Sequence, residues 1–163
     1  MVSALDATVL KRAAALALCV MFLAGCSPAP TKSLGLDPAN VASVELFIYP
    51  YGADDPEVKH TVLTNPELIS EHVGAYTDTP GQLIASVPEE ALGKEATDVR
   101  YNLTDGSSIS LTRISLAPED TVVLWPDGDI QLATWGVENA DYYDDLGETT
   151  TVDASMLPSR QVP

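Results

Sequence analysis

Hydrophobic and polar positions alternate with two different periods along this chain. In "VASVELFIYP" (41–50), Val44, Leu46 and Ile48 fall on one face and Glu45, Phe47 and Tyr49 on the other. Period-2 spacing with apolar residues on both sides predicts a strand covered on both faces. "YGADDPE" is a turn, and "VKHTVLT" alternates again, so the two segments predict a hairpin. The period then changes. In "TNPELISEHVGAY", Leu68, Ile69, His72, Val73 and Tyr76 form one helical stripe. Thr64 and Glu67 have capping-box spacing, and Asn65 before Pro66 is an equally good cap, so a helix is predicted over about 65–76. "GQLIASV" is a further strand candidate and "PEEALGK" one short helical turn.

The second half is rich in strands. "DVRYNL" alternates Val99, Tyr101 and Leu103, and "TDGS" turns the chain into "SISLTRISL". There Ile109 and Leu111 take one face and Ile114 and Leu116 the other, a change of phase that predicts a bulge near Thr112. "TVVLW", "PDGD" and "IQLATW" make a second hairpin with an Asp-Gly turn. "NADYYDDLG" predicts a short second helix near 139–146, ending at Gly147. The expected class is α+β, an antiparallel sheet of six or seven strands with one main helix packed on a face.

The N-terminus follows other rules. From Ala13 to Gly25 there is no charge, and Lys11 and Arg12 precede the run. A membrane-spanning helix needs about 20 apolar residues, whereas the apolar region of a secretory signal has about 7–15 behind a positive start. The run closes on Leu23-Ala24-Gly25-Cys26 and then changes to Ser-Pro-Ala-Pro. This ending resembles the lipobox of bacterial lipoproteins. The resemblance covers about the first 26 residues and implies cleavage before Cys26, with a diacylglyceryl thioether on its sulfur. A thiolate suits that modification because it is the strongest side-chain nucleophile near neutral pH. Two acyl chains give stable anchoring where one is marginal. Asp6, in a long leading segment, departs from the pattern and leaves room for a later translation start. The body is similar in plan to small uncharacterised bacterial lipoproteins: a strand pair, a "T-x-P-E-L-I" helix, then "L-x-D-G-S" and "P-D-G-D" hairpins. Those motifs are turns and caps, so this second resemblance implies no ligand.

The expected organisation is a removed signal (1–25), a lipidated cysteine with a flexible spacer (26–40), one globular domain (41–147) and a loosely ordered tail (148–163). Fully extended, the spacer would lift the domain on the order of 40 Å from the bilayer. The cysteine count agrees with a signal. Cys19 leaves with it and Cys26 is consumed, so the mature domain has neither a disulfide nor a thiolate metal site. At 138 residues it is large enough for one core.

Charge narrows the partners. The full chain carries −16. Removing Asp6, Lys11 and Arg12 leaves six basic and 23 acidic residues, a net −17. Such a surface repels nucleic acid and anionic lipid headgroups, and favours solubility, cations or a basic protein partner.

Candidate chemistry is sparse. There is no G-x-S-x-G, no S-x-x-K and no phosphate-cradling loop. His60 and His72 lie on different elements, short of the three or four ligands of a zinc site. Three acidic clusters stand out: Asp54, Asp55 and Glu57; Asp127 and Asp129; and Asp141, Asp144, Asp145 and Glu148. None has EF-hand spacing, and the last is the candidate for calcium. Trp125, Trp135, Tyr142 and Tyr143 gather late in the chain; Trp135, Tyr142 and Tyr143 form a candidate contact patch beside acids that suit a basic partner.

The expected function is that of a lipid-anchored extracytoplasmic lipoprotein at the cell membrane, a non-enzymatic binding or accessory module without a cofactor. The alternatives are a small hydrolase using Asp or Glu, and a calcium-binding surface module. A sheet surface with no concave pocket would favour the binding module, and a deep pocket holding two carboxylates or a His–carboxylate pair would favour the hydrolase.

Overall fold

A computed structural model describes residues 29–117, 120–134 and 149–158. Ten strands are present among them: β1 (Thr31–Lys32), β2 (Val41–Pro50), β3 (Val58–Leu63), β4 (Thr79–Pro80), β5 (Gln82–Ile84), β6 (Glu95–Leu103), β7 (Ser108–Ser115), β8 (Asp120–Leu124), β9 (Ile130–Thr134) and β10 (Thr149–Val152). Eight form one antiparallel sheet in the order β10-β3-β2-β6-β7-β8-β9-β5, while β1 and β4 pair separately. The one α-helix among the described residues, α1, spans Pro66–Gly74.

The α+β expectation is overturned: the architecture is mostly β, with a single α-helix among the described residues. The reason is dimensional. Nine helical residues reach about 13 Å, too short to form a layer over eight strands. Helix α1 begins where Asn65 accepts a hydrogen bond from the Glu67 N–H at 2.9 Å, with Pro66 in the first turn. It buries Ile69, His72 and Val73. The second helix expected near 139–146 lies outside the described residues.

Both faces of the sheet carry an apolar cluster. On the helix side, Val44, Leu46, Leu63, Val99, Tyr101, Leu111, Val123 and Trp125 pack with Ile69, Val73 and Tyr76. On the opposite side, Phe47, Tyr49, Val58, Ala96, Ile114, Val122 and Ile130 form a second cluster. Partly buried Val152, Ala154 and Leu157 pack against it, as does Ala91 from the short 3-10 turn Glu89–Ala91. Full burial of such side chains contributes about 1.5–3 kcal/mol each. Burial on both faces also explains β7. Its register with β6 runs unbroken from Ser108 to Ile114, without the bulge expected near Thr112. The phase change simply supplies apolar residues first to one face and then to the other. The register shift lies instead in β2, between Val41 and Ser43.

Residues 30–40, expected as flexible spacer, are built into the fold. The Gly81 N–H donates to the Pro30 carbonyl at 3.1 Å, and the Leu34 N–H to the Tyr76 carbonyl at 2.9 Å. Leu34 and Leu36 pack against the helix-side core. Asp37 caps a 3-10 turn at Pro38–Asn40. In the expected tail, β10 pairs with β3.

Gly81 is where this N-terminal strap meets the sheet. A Cβ at Gly81 would lie 2.5 Å from the Leu132 carbonyl oxygen and 3.0 Å from the Ala133 Cα, both backbone atoms that cannot swing aside. Gly81→Ala is therefore expected to lower stability by about 1–3 kcal/mol. The denaturant midpoint would fall, with fastest proteolysis near residue 30; an unchanged midpoint would contradict this packing.

Candidate functional site

The strand register assembles a polar cluster on the face opposite α1. Glu45 of β2 stands between Arg100 of β6 and Val62 of β3, and Phe47 stands between Asp98 and His60. Direct and diagonal neighbours on antiparallel strands meet through their side chains. Accordingly, His60 Nε2 lies 2.9 Å from Glu45 Oε2, and the Asn102 amide donates to Glu45 Oε1 at 2.7 Å and to Ser43 Oγ at 3.0 Å. The Arg100 guanidinium lies 3.7 Å from the same carboxylate.

Phe47 forms the floor. The His60 ring stacks on it with centroids 4.5 Å apart, and the Arg100 guanidinium sits 5.2 Å from its centroid. Phe47 is fully buried, while the Glu45, His60 and Arg100 side chains keep 17%, 13% and 27% of their surface. These groups are thus fixed from beneath yet reachable from solvent. Burial pushes the Glu45 carboxyl upward in pKa. Hydrogen bonds from Asn102 and His60, and the nearby charge of Arg100, outweigh it and hold the group below the ordinary carboxylate range. Glu45 is an ionised acceptor saturated by donors. Ser110 pairs with Arg100 across β6 and β7, and Ser108 with Asn102, extending the polar shelf. Such an arrangement can hold a polar ligand by hydrogen bonds.

A second polar group ties the strap to the β8–β9 turn. Lys32 Nζ contacts Asp127 at 2.6 Å and Asp129 at 2.5 Å, and lies 5.6 Å from the Trp125 ring centroid. Burial pulls the Lys32 pKa down, but both carboxylates outweigh it and raise it above the ordinary value. Trp125 Nε1–H donates to the buried Gln131 side chain, which donates to the Thr79 carbonyl. The cluster of Asp127 and Asp129 is therefore an ion-pair clamp. Asp54, Asp55 and Glu57 sit in the turn between β2 and β3 without ion pairs among the described residues. Within those residues, no group of three His, Cys, Asp or Glu side chains is placed to hold a metal ion.

The two histidines are separate, as their elements require. His60 belongs to the shelf. His72 is buried under α1, with Nδ1 2.9 Å from the Tyr101 hydroxyl. Trp125 is 4% exposed and belongs to the core. Cys26, the contact candidates Trp135, Tyr142 and Tyr143, and the calcium candidates Asp141, Asp144, Asp145 and Glu148 lie outside the described residues.

The shelf was not singled out from sequence. Its signal was there: Glu45 shares the alternating pattern with Phe47 and Tyr49 on a strand covered on both faces, and a carboxylate there requires donors. "DVRYNL" carries two of them, Arg100 and Asn102, but pairing it with β2 requires the sheet order. No family model, curated protein or solved structure matches the chain.

Proposed function

We propose that this protein is a lipid-anchored lipoprotein on the extracytoplasmic face of the cell membrane, serving as a non-enzymatic binding or accessory module. The observation that carries the anchoring is the uncharged run closing on Leu23-Ala24-Gly25-Cys26 behind Lys11 and Arg12. Binding is assigned to the shelf of Glu45, His60, Arg100 and Asn102, whose polar groups are held in place by Phe47 and remain reachable. Its ligand is a polar group, for instance a peptide or small molecule offering an acceptor to Arg100, whose Nη2 also donates to the Met156 carbonyl at 3.4 Å. The candidate partner is basic overall, to match the acidic surface.

Hydrolysis remains as a second reading because His60 and Glu45 form an imidazole–carboxylate pair. It is disfavoured by the donors already occupying Glu45. A carboxylate whose proton affinity is lowered by three neighbours is a poor base.

Cys26→Ser is the direct test of anchoring. The variant is expected to lose all incorporation of a lipid analogue and to accumulate as a larger, unprocessed precursor. Processing and membrane retention equal to the parent would refute the lipobox assignment.

A further inference from the structure

We infer that the anchored domain rests with the β5 edge of its sheet against the bilayer, making the lipid surface itself a contact of the folded protein through Leu83. This rests on the reading of Cys26 as the lipid attachment point.

The argument begins with how soon the chain becomes fixed. Pro30 already accepts a hydrogen bond from Gly81, and Thr31 and Lys32 pair with Pro80 and Thr79. Lys32 is further held by Asp127 and Asp129. Four residue steps separate Cys26 from Pro30, and a fully extended chain covers at most about 3.6 Å per step. The tether therefore reaches no more than about 14 Å, not the roughly 40 Å of a spacer running to Asn40. With so short a leash, the part of the fold beside Pro30 faces the membrane.

That part is the β5 edge. Gly81 leads directly into Gln82–Ile84, and β5 is an outermost strand of the sheet. Leu83, two residues past Gly81, is 48% exposed. An apolar side chain placed there can enter the headgroup region, where burying CH₂ groups is favourable. Lys32 offsets part of the charge of Asp127 and Asp129 near this edge. The carboxylates of Asp54, Asp55 and Glu57, without ion pairs among the described residues, sit instead on the turn between β2 and β3. The polar shelf on β2, β3 and β6 is four to six strands from β5. At about 4.8 Å per strand it is carried away from the bilayer, open to partners.

The test uses the full chain, lipidated on Cys26 and reconstituted in phosphatidylcholine vesicles containing a headgroup-labelled acceptor lipid. With Cys26 acylated and Cys19 removed, an introduced cysteine is the sole thiol for a donor dye. Gln82→Cys reports on β5 and Val62→Cys on exposed β3. Energy transfer to the headgroups is expected to be several-fold stronger from position 82 than from position 62. A flexible insert of about twelve Gly and Ser residues between residues 28 and 29 should bring the two together. Equal transfer from both positions, or no response to the insert, on protein shown to carry lipid would overturn the orientation and leave the anchoring intact. Absence of lipid on Cys26 would overturn both.

Discussion

Acidification from pH 6.5 to 4.5 is expected to lower the folding stability of this domain by about 2–3 kcal/mol, through His72. The imidazole is 3% exposed, between α1 and β6, with the rings of Tyr76 and Tyr101 each 5.6 Å away. Burial, reinforced by the positive charge of Arg113, pushes its pKa down to about 3. The unfolded chain takes up this proton near pH 6.5 and the folded chain refuses it until about 3, so protons favour the unfolded state throughout that window. Stability is complete above 6.5 and falls with decreasing pH at about 1.4 kcal/mol per unit. Carboxylates held low in the fold, such as Glu45, contribute with the same sign, but below about 4.5. Urea unfolding at several pH values would measure the slope. In His72→Gln the side-chain amide can still bond the Tyr101 hydroxyl but cannot titrate. The difference between parent and variant isolates His72 because His60 is common to both. Parallel curves for the two proteins between pH 6.5 and 4.5 would show that His72 carries no such penalty.

His72 also marks how far the sequence alone could be read. Its place on the stripe with Leu68, Ile69, Val73 and Tyr76 was evident, because a helical face is a local pattern. The Asn65-Pro66 start and the Asp-Gly turn at Asp127-Gly128 were evident for the same reason: caps and turns are fixed by a few adjacent residues. What failed required knowledge of partners distant in sequence. A segment rich in Pro, Ser and Gly resembles a spacer by composition, yet Lys32 finds Asp127 and Asp129 some 95 residues later and Leu34 finds the core. The α+β expectation gave one well-formed helix the weight of a layer, whereas α1 covers its face only together with Leu34 and Leu36, and the other face is covered by a short turn at Ala91 and by Val152, Ala154 and Leu157. Glu45 showed only that donors must exist, since their identity depends on β6 lying beside β2. The proposed anchoring differs in kind, because the pattern that suggests it is a linear run of about 14 residues, Ala13 to Cys26, read without any tertiary context.

Arg113→Met is expected to stabilise the domain at pH 7 by about 1–4 kcal/mol. Arg113 is 3% exposed on the helix side of β7. Its one hydrogen bond there is to Thr97 Oγ1 at 3.4 Å, and its Nε has no partner among the described residues. No carboxylate among those residues pairs with it, so the desolvation of the guanidinium is poorly offset. Met retains an unbranched stem of similar reach for packing between Thr97 and Val123 while removing the charge. The same change removes the repulsion felt by His72, so the His72 pKa rises and the acid slope becomes shallower. Both effects come from one unfolding series on the parent, Arg113→Met and the double variant with His72→Gln. In the His72→Gln background the stabilisation at pH 7 should persist while the change in slope vanishes. A loss of several kcal/mol on replacing Arg113 would mean that a counter-charge is already paired with the guanidinium in the folded protein, since breaking such a pair, not relieving a lone charge, carries that cost.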